Sequence, residues 1–205
     1  MRILGLTGSV GMGKSTAAEM LGRMGVPVHD ADRTVHFLLG PGGAAVAAVE
    51  AAFPGVASEH GIDRQALGAR VFGNRDELRR LEAILHPLVR AGEVRFLRRM
   101  RAQRRKLVVL DIPLLFESAG EARCDAVAVI WAPGFLQKRR VLARPNMTAQ
   151  RFAFIRAQQT SEAEKRRRAD FLVPSGLGRA VTWRHLRRIV RARDQACAAR
   201  AAPAE

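Results

Sequence analysis

The chain has 205 residues, 48% of them hydrophobic, and carries a net charge of +16. A chain of this length buries about 70% of its unfolded surface, so it needs neither disulfides nor a structural metal. Its two cysteines, Cys124 and Cys197, have no metal-ligand spacing and suit a reduced, cytoplasmic protein. Its apolar runs fall far short of the ~20 residues a membrane span requires, and with the first motif so near the start no signal peptide is expected.

In chain order, Ile3 to Thr7 is a short apolar run ending at glycines, the pattern of a buried strand. Ser15 to Met24 has helical spacing, with Ala18, Leu21 and Met24 on one side, and Gly25 stops it. Val26 to Val28 predicts the next strand, giving a βαβ unit and parallel pairing. Residues 33 to about 104 show helical patterns and turns, at Gly40-Pro41-Gly42-Gly43 and Pro54-Gly55, and no convincing strand. Helices are expected over 64–73 and 76–103, the second interrupted at Pro87. Leu107 to Ile112 and Ala126 to Trp131 are strong buried-strand signals, and Phe171 to Val173 is a weaker one. Residues 135–168 are helical and Arg-rich. A closing helix is expected from Trp183 to about Ala199, with Leu186, Ile189 and Val190 on one face and a frayed tail after Ala198. The fold class is therefore α/β, with five short parallel strands (2–7, 26–29, 107–112, 126–131, 171–173) and helices on both faces.

The chemistry is carried by Gly8-Ser9-Val10-Gly11-Met12-Gly13-Lys14-Ser15, which fits G-x-x-x-x-G-K-[ST] between a strand and a helix. Gly8, Gly11 and Gly13 let the backbone bend and turn its N–H groups toward a phosphate. The helix starting near Gly13 adds its positive dipole end. Lys14 reaches the β- and γ-phosphates as a point charge. Ser15 offers a hydroxyl to Mg²⁺, an ion that prefers oxygen ligands, and Thr16 faces the α-phosphate side.

Asp30 and Asp32 follow the second strand, at the sheet edge where parallel α/β proteins bind ligands. A carboxylate there can take the proton of an attacking hydroxyl; equally, Asp32 can N-cap a helix beginning at Arg33. Asp111 ends a strand, a position suited to a carboxylate behind Mg²⁺. Arg139, Arg140 and Arg144 lie between the fourth and fifth strands, where an arginine can neutralise phosphoryl charge or simply face water. With 31 of the 35 basic residues being Arg, composition selects none of them. His86, before Pro87, reads as a packed or capping residue, and Glu117 as a ligand contact or a surface carboxylate. The basic balance suits steering of polyphosphate substrates. It also fits a nucleic-acid-binding ATPase, but helicase-type motifs and a stacking aromatic platform are not evident.

LTGSVGMGKST (6–16), HDAD (29–32), HP (86–87), DIPLLFE (111–117), KRR (138–140) and RAQQ with the following RRRAD (156–170) together resemble the dephospho-coenzyme A kinases. The resemblance extends to about residue 190. It implies one P-loop NTPase-type domain: a core of 1–35, 105–134 and 169–200, a helical acceptor-binding insert of 36–104, and a lid of 135–168. ATP, with Mg²⁺ at Ser15, would bind at Gly11, Met12, Gly13, Lys14, Ser15 and Thr16, with Arg144 as a helper. The acceptor would be the ribose 3′-hydroxyl of dephospho-coenzyme A. Asp32 resembles the base, and Arg140 the lid arginine that acts with Lys14 on the phosphates. Thr7, Asp32, Arg64, His86, Leu115 and Glu117 would line or support the acceptor site. The implied partners are these two small molecules, with no nucleic acid and no membrane, and the implied state is a monomer or weak homo-oligomer. A kinase for another small alcohol or nucleotide differs only on the acceptor side. The chain departs from the family's commonest pattern at Ser9 and Met12, at Pro145-Asn146, and at Val173-Pro174-Ser175-Gly176.

Overall fold

The structure, a computed structural model, describes residues 1–145 and 147–201, with side chains as far as 192. A five-stranded parallel sheet is built from Arg2–Thr7 (β1), Val28–Asp30 (β2), Leu107–Asp111 (β5), Ala126–Trp131 (β6) and Phe171–Pro174 (β7). Its order is β2-β5-β1-β6-β7. β1 is central, pairing Leu6 with Asp111 on one side and with Ala128 on the other. This register sets the end of β1 beside Asp111, so the phosphate-binding motif and the acidic strand end share one edge.

The chain divides into two compact units, one of Met1–His29 with the chain from Met100 onward, the other of Asp30–Arg99. In the first, Lys14–Arg23 (α1) and Arg179–Ala201 (α9) pack their apolar faces on the sheet. Leu6, Leu21, Val109, Ile130 and Leu186 are buried in one cluster, and burial of such side chains supplies about 1.5–3 kcal/mol each. α1 ends in a glycine-terminated turn: Gly25 has φ 78°, Gly25 N–H donates to Gly22 O, and Val26 N–H to Leu21 O. Gly134–Leu142 (α6), Ala149–Ala157 (α7) and Glu162–Arg168 (α8) make the Arg-rich segment between β6 and β7.

The second unit contains Ala31–Leu39 (α2), Val46–Ala52 (α3), Arg64–Val71 (α4) and most of Arg75–Ala102 (α5), around a cluster that includes Val49, Phe53, Leu67 and Leu81. Two expectations are corrected here. Ala57–Ser58 (β3) and Gly61–Ile62 (β4) form a small antiparallel hairpin where no strand was expected. Strands of two residues carry no alternation to detect. The hairpin is held instead by the Glu50 carboxylate, which accepts from the N–H groups of Gly55, Val56 and Ala57 at 2.6, 3.0 and 2.7 Å. The other correction is that α5 passes through Pro87 without a break. Leu81 and Leu85 before it, and Leu88 and Val89 after it, pack into the same cluster. That shared burial outweighs the ~3 kcal/mol a helical proline costs.

No helix among the described residues is long and apolar enough to cross a membrane. The tail after Ala198 falls on residues whose side chains, and beyond 201 whose backbone, lie outside the described residues, as does Asn146.

Candidate active site

The motif following β1 is a tight loop that the glycines make possible. Gly11 and Gly13 have φ 77° and 88°, a region costly for residues with a Cβ. A Cβ on Gly11 would also lie 2.4 Å from Val141 Cγ2. Gly8 is excluded from substitution by proximity alone: a Cβ there would stand 2.6 Å from the Ile130 carbonyl oxygen. Gly8→Ala should therefore cost about 1–3 kcal/mol in chemical denaturation, in the range of overpacking. Wild-type stability would show that β6 yields easily at this point. Among the described residues no side chain caps α1, whose N-cap is Gly13. Its first N–H groups and positive dipole end thus remain for an anion.

Lys14, the first residue of α1, extends to Asp111, with Nζ 2.6 Å from Oδ1. Asp111 is 1% exposed, so this ion pair holds the ammonium beside the loop at low effective dielectric. Ser15 is exposed in the first turn of the same helix. An exposed hydroxyl is a hard-oxygen donor of the kind suited to Mg²⁺, which takes few protein ligands and completes its shell with water and phosphate.

A cavity of about 260 Å³ is lined by Gly11, Gly13, Thr16, Arg140, Arg144 and Ser175, among others. Tertiary structure therefore separates the arginines that composition could not. Arg139 faces solvent, whereas Arg140 Nη1 donates to Ser175 Oγ at 3.1 Å and Nη2 to Ser175 O at 2.8 Å. Ser175 Oγ in turn donates to Met12 O at 2.6 Å. Arg140 is thus tied to the loop through the segment after β7.

Sequence reading missed the side chains that grip the loop's outer turn. Gln137 Nε2 donates to Val10 O at 2.9 Å, and Val10 N–H donates to Gln159 Oε1 at 3.2 Å. Lys165 has no exposed surface, and its Nζ lies 3.3 Å from Ser9 Oγ and 3.1 Å from Glu117 Oε1. Of these, only Gln159 stands in a motif that could have signalled it.

The residues expected on the acceptor side fall in both units. Thr7 is fully buried, and its hydroxyl donates to Pro113 O at 3.0 Å, so its visible contribution is to hold the start of the PLLFE segment. Leu115, within that segment, is likewise buried. Glu117 accepts from Thr160 N–H at 2.7 Å as well as from Lys165. Burial pushes its carboxyl up, but the Thr160 N–H, its own backbone N–H and the Lys165 ammonium together hold it below its ordinary value. The sign follows: with the folded value depressed, Glu117 contributes stability above its ordinary range, and that contribution is lost as pH falls below about 4.5. Glu117→Gln should flatten the acid limb of a stability-versus-pH curve. An unchanged limb would remove Glu117 from the explanation of acid unfolding.

In the second unit, the Asp30 carboxylate accepts from Arg33 N–H at 2.9 Å. Asp30, and not Asp32, is the N-cap of α2, and Asp32 is exposed in the helix's first turn. His36 stands four residues on, on the same face, and Arg64 Nη1 lies 2.6 Å from His36 Nδ1. Asp32, His36 and Arg64 therefore share one neighbourhood, to which sequence reading had not assigned His36. His86 is exposed on α5.

A strand, a glycine-rich turn, a helix opening with Lys-Ser and a buried Asp facing the Lys, set on this sheet order, define a P-loop kinase. The fold agrees with a dephospho-CoA kinase from Campylobacter jejuni, with TM-score 0.65 and 23% identity over 94% of this chain and 97% of that one. The crystal structure of TT1252 from Thermus thermophilus is more similar, with TM-score 0.80 and 33% identity over 93% and 96% of the two chains. The family model described as dephospho-CoA kinase matches residues 2–176. A dephospho-CoA kinase from Rhodospirillum rubrum is 63% identical over 90% of this chain and 88% of its own length, and one from Paramagnetospirillum magneticum is 66% identical over 81% and 78%. The chain belongs to the dephospho-CoA kinase family.

Proposed function

We propose that the protein transfers the γ-phosphoryl group of ATP to the ribose 3′-hydroxyl of dephospho-coenzyme A, giving coenzyme A and ADP, the last step of coenzyme A biosynthesis. The observation that carries this reading is the family match across residues 2–176 in a chain whose glycine loop, Lys14 and Asp111 are arranged to receive a polyphosphate.

The hydroxyl oxygen bonds to the γ-phosphorus as the bond to the bridging oxygen breaks, and ADP departs. Such a transfer calls mainly for positioning and charge stabilisation. The loop N–H groups and α1 hold the phosphates, Lys14 places its charge on the β- and γ-phosphates, and Arg140 with Arg144 supplies further positive charge from the β6–β7 segment. Asp32 accepts or orients the acceptor's proton. Mg²⁺, when bound, neutralises phosphate charge, and Ser15 is the residue that would hold it. Arg64 and His86 are proposed to contact the acceptor, and Thr7, Leu115 and Glu117 to line or support its site.

The test is to mix protein, Mg·ATP and dephospho-coenzyme A and to follow ADP and coenzyme A, with adenosine and AMP as control acceptors. Turnover with dephospho-coenzyme A alone is expected. Turnover on AMP in its place would discard the acceptor assignment while keeping the ATP site.

A further inference from the structure

Lys165 is a lysine with no exposed surface on α8, a short helix far in sequence from the glycine loop. Taking an ammonium out of water costs several kcal/mol unless it is paired and hydrogen-bonded. Here the pairing is specific: Glu117 Oε1 at 3.1 Å and Ser9 Oγ at 3.3 Å. The neighbouring residues point to the same two places. Gln159 accepts from Val10 N–H, and Thr160 N–H donates to Glu117. Within Gln159–Lys165, three side-chain or backbone groups therefore land on the outer turn of the loop, Ser9-Val10, or on the carboxylate that ends the PLLFE segment.

A flexible glycine loop must be held in the shape that aims its N–H groups inward, since its glycines favour no single conformation. The inner half, Gly11 to Lys14, is fixed by α1 and by Asp111. The outer half, Ser9-Val10, is gripped by side chains distant in sequence: Gln137 of α6 and Gln159 hold Val10, and Lys165 of α8 is the one that reaches the Ser9 hydroxyl.

We propose that Lys165 is a positioning residue for the phosphate-binding loop, its buried ammonium latching Ser9 and Glu117 together so that the loop is set for the ATP phosphates only when the Gln159–Lys165 segment is docked. The proposal rests on the ATP-site half of the functional reading and not on the identity of the acceptor.

The experiment measures ATP affinity by calorimetry, together with thermal stability and the KM for each substrate, in wild type, Lys165→Met, Lys165→Arg and Ser9→Ala. Lys165→Met should weaken ATP binding by about tenfold or more, the range for a hydrogen bond to a charged group. The KM for dephospho-coenzyme A should move much less, and Lys165→Arg should recover part of the loss. Ser9→Ala keeps the Lys165–Glu117 pair and removes only the contact to the loop. It should weaken ATP binding by a smaller factor at unchanged stability, and it decides the matter if Lys165→Met does not fold. ATP affinity equal to wild type in the folded variants, with or without a fall in Tm, overturns the proposal, because a merely structural lysine would lower Tm and leave affinity intact. Absence of turnover on dephospho-coenzyme A in the wild type would overturn the acceptor assignment, and the ATP affinities would still decide the latch.

Discussion

Lys14→Ala is expected to lower kcat by about 10²–10³-fold, the loss found when one preorganised donor to a developing oxyanion is removed. The ammonium sits 2.6 Å from a carboxylate that is 1% exposed, at the first residue of α1. Its position is therefore set before ATP arrives, and little reorganisation remains for the moment of transfer. If Lys14 acts on the β- and γ-phosphates as proposed, affinity for ATP should fall more than affinity for adenosine. Removing the lysine also leaves Asp111 without that ammonium, so turnover should be compared well below the Tm of each variant. Lys14→Ala with normal turnover would remove the basis for calling this loop a phosphate site.

Asp32→Asn should cost about 10²–10⁴-fold in kcat, the contribution of a positioned general base, while ATP affinity measured without acceptor stays at the wild-type level. The structure makes this test cleaner than the sequence did. Asp32 had two readings, base or helix cap, and a cap mutant would lower stability. The cap is Asp30, so Asp32→Asn should leave Tm nearly unchanged. Asp30→Ala, by contrast, should cost about 1 kcal/mol. Wild-type turnover in Asp32→Asn would transfer the role of base to another group, and the exposed His36 on the same face of α2 is the next to examine.

Much of this protein was legible in its sequence because the signals were local. The glycine loop declares itself in eight consecutive residues, since each of its glycines answers a backbone or packing requirement at its own position. The buried strands LVVLD and AVAVIW read as apolar runs because both faces of a parallel sheet are covered. What the sequence left open depended on contacts between distant residues. Arg140 differs from Arg139 only because Ser175, thirty-five positions away, receives it. Lys165 looks like one more charge in EAEKRRR, and it is singled out by a burial that α8 creates against Ser9 and Glu117. The β3–β4 hairpin and the unbroken α5 follow the same logic. A carboxylate on α3 and a shared apolar cluster supplied energies that no local propensity expresses. The sequence by itself determined the phosphate-binding motif and the five strands of the parallel sheet, because those rest on residue type and period. Only the tertiary structure decided which of many arginines and lysines stand beside the loop, because a charge's neighbours and its distance from water are set by residues far away in the chain.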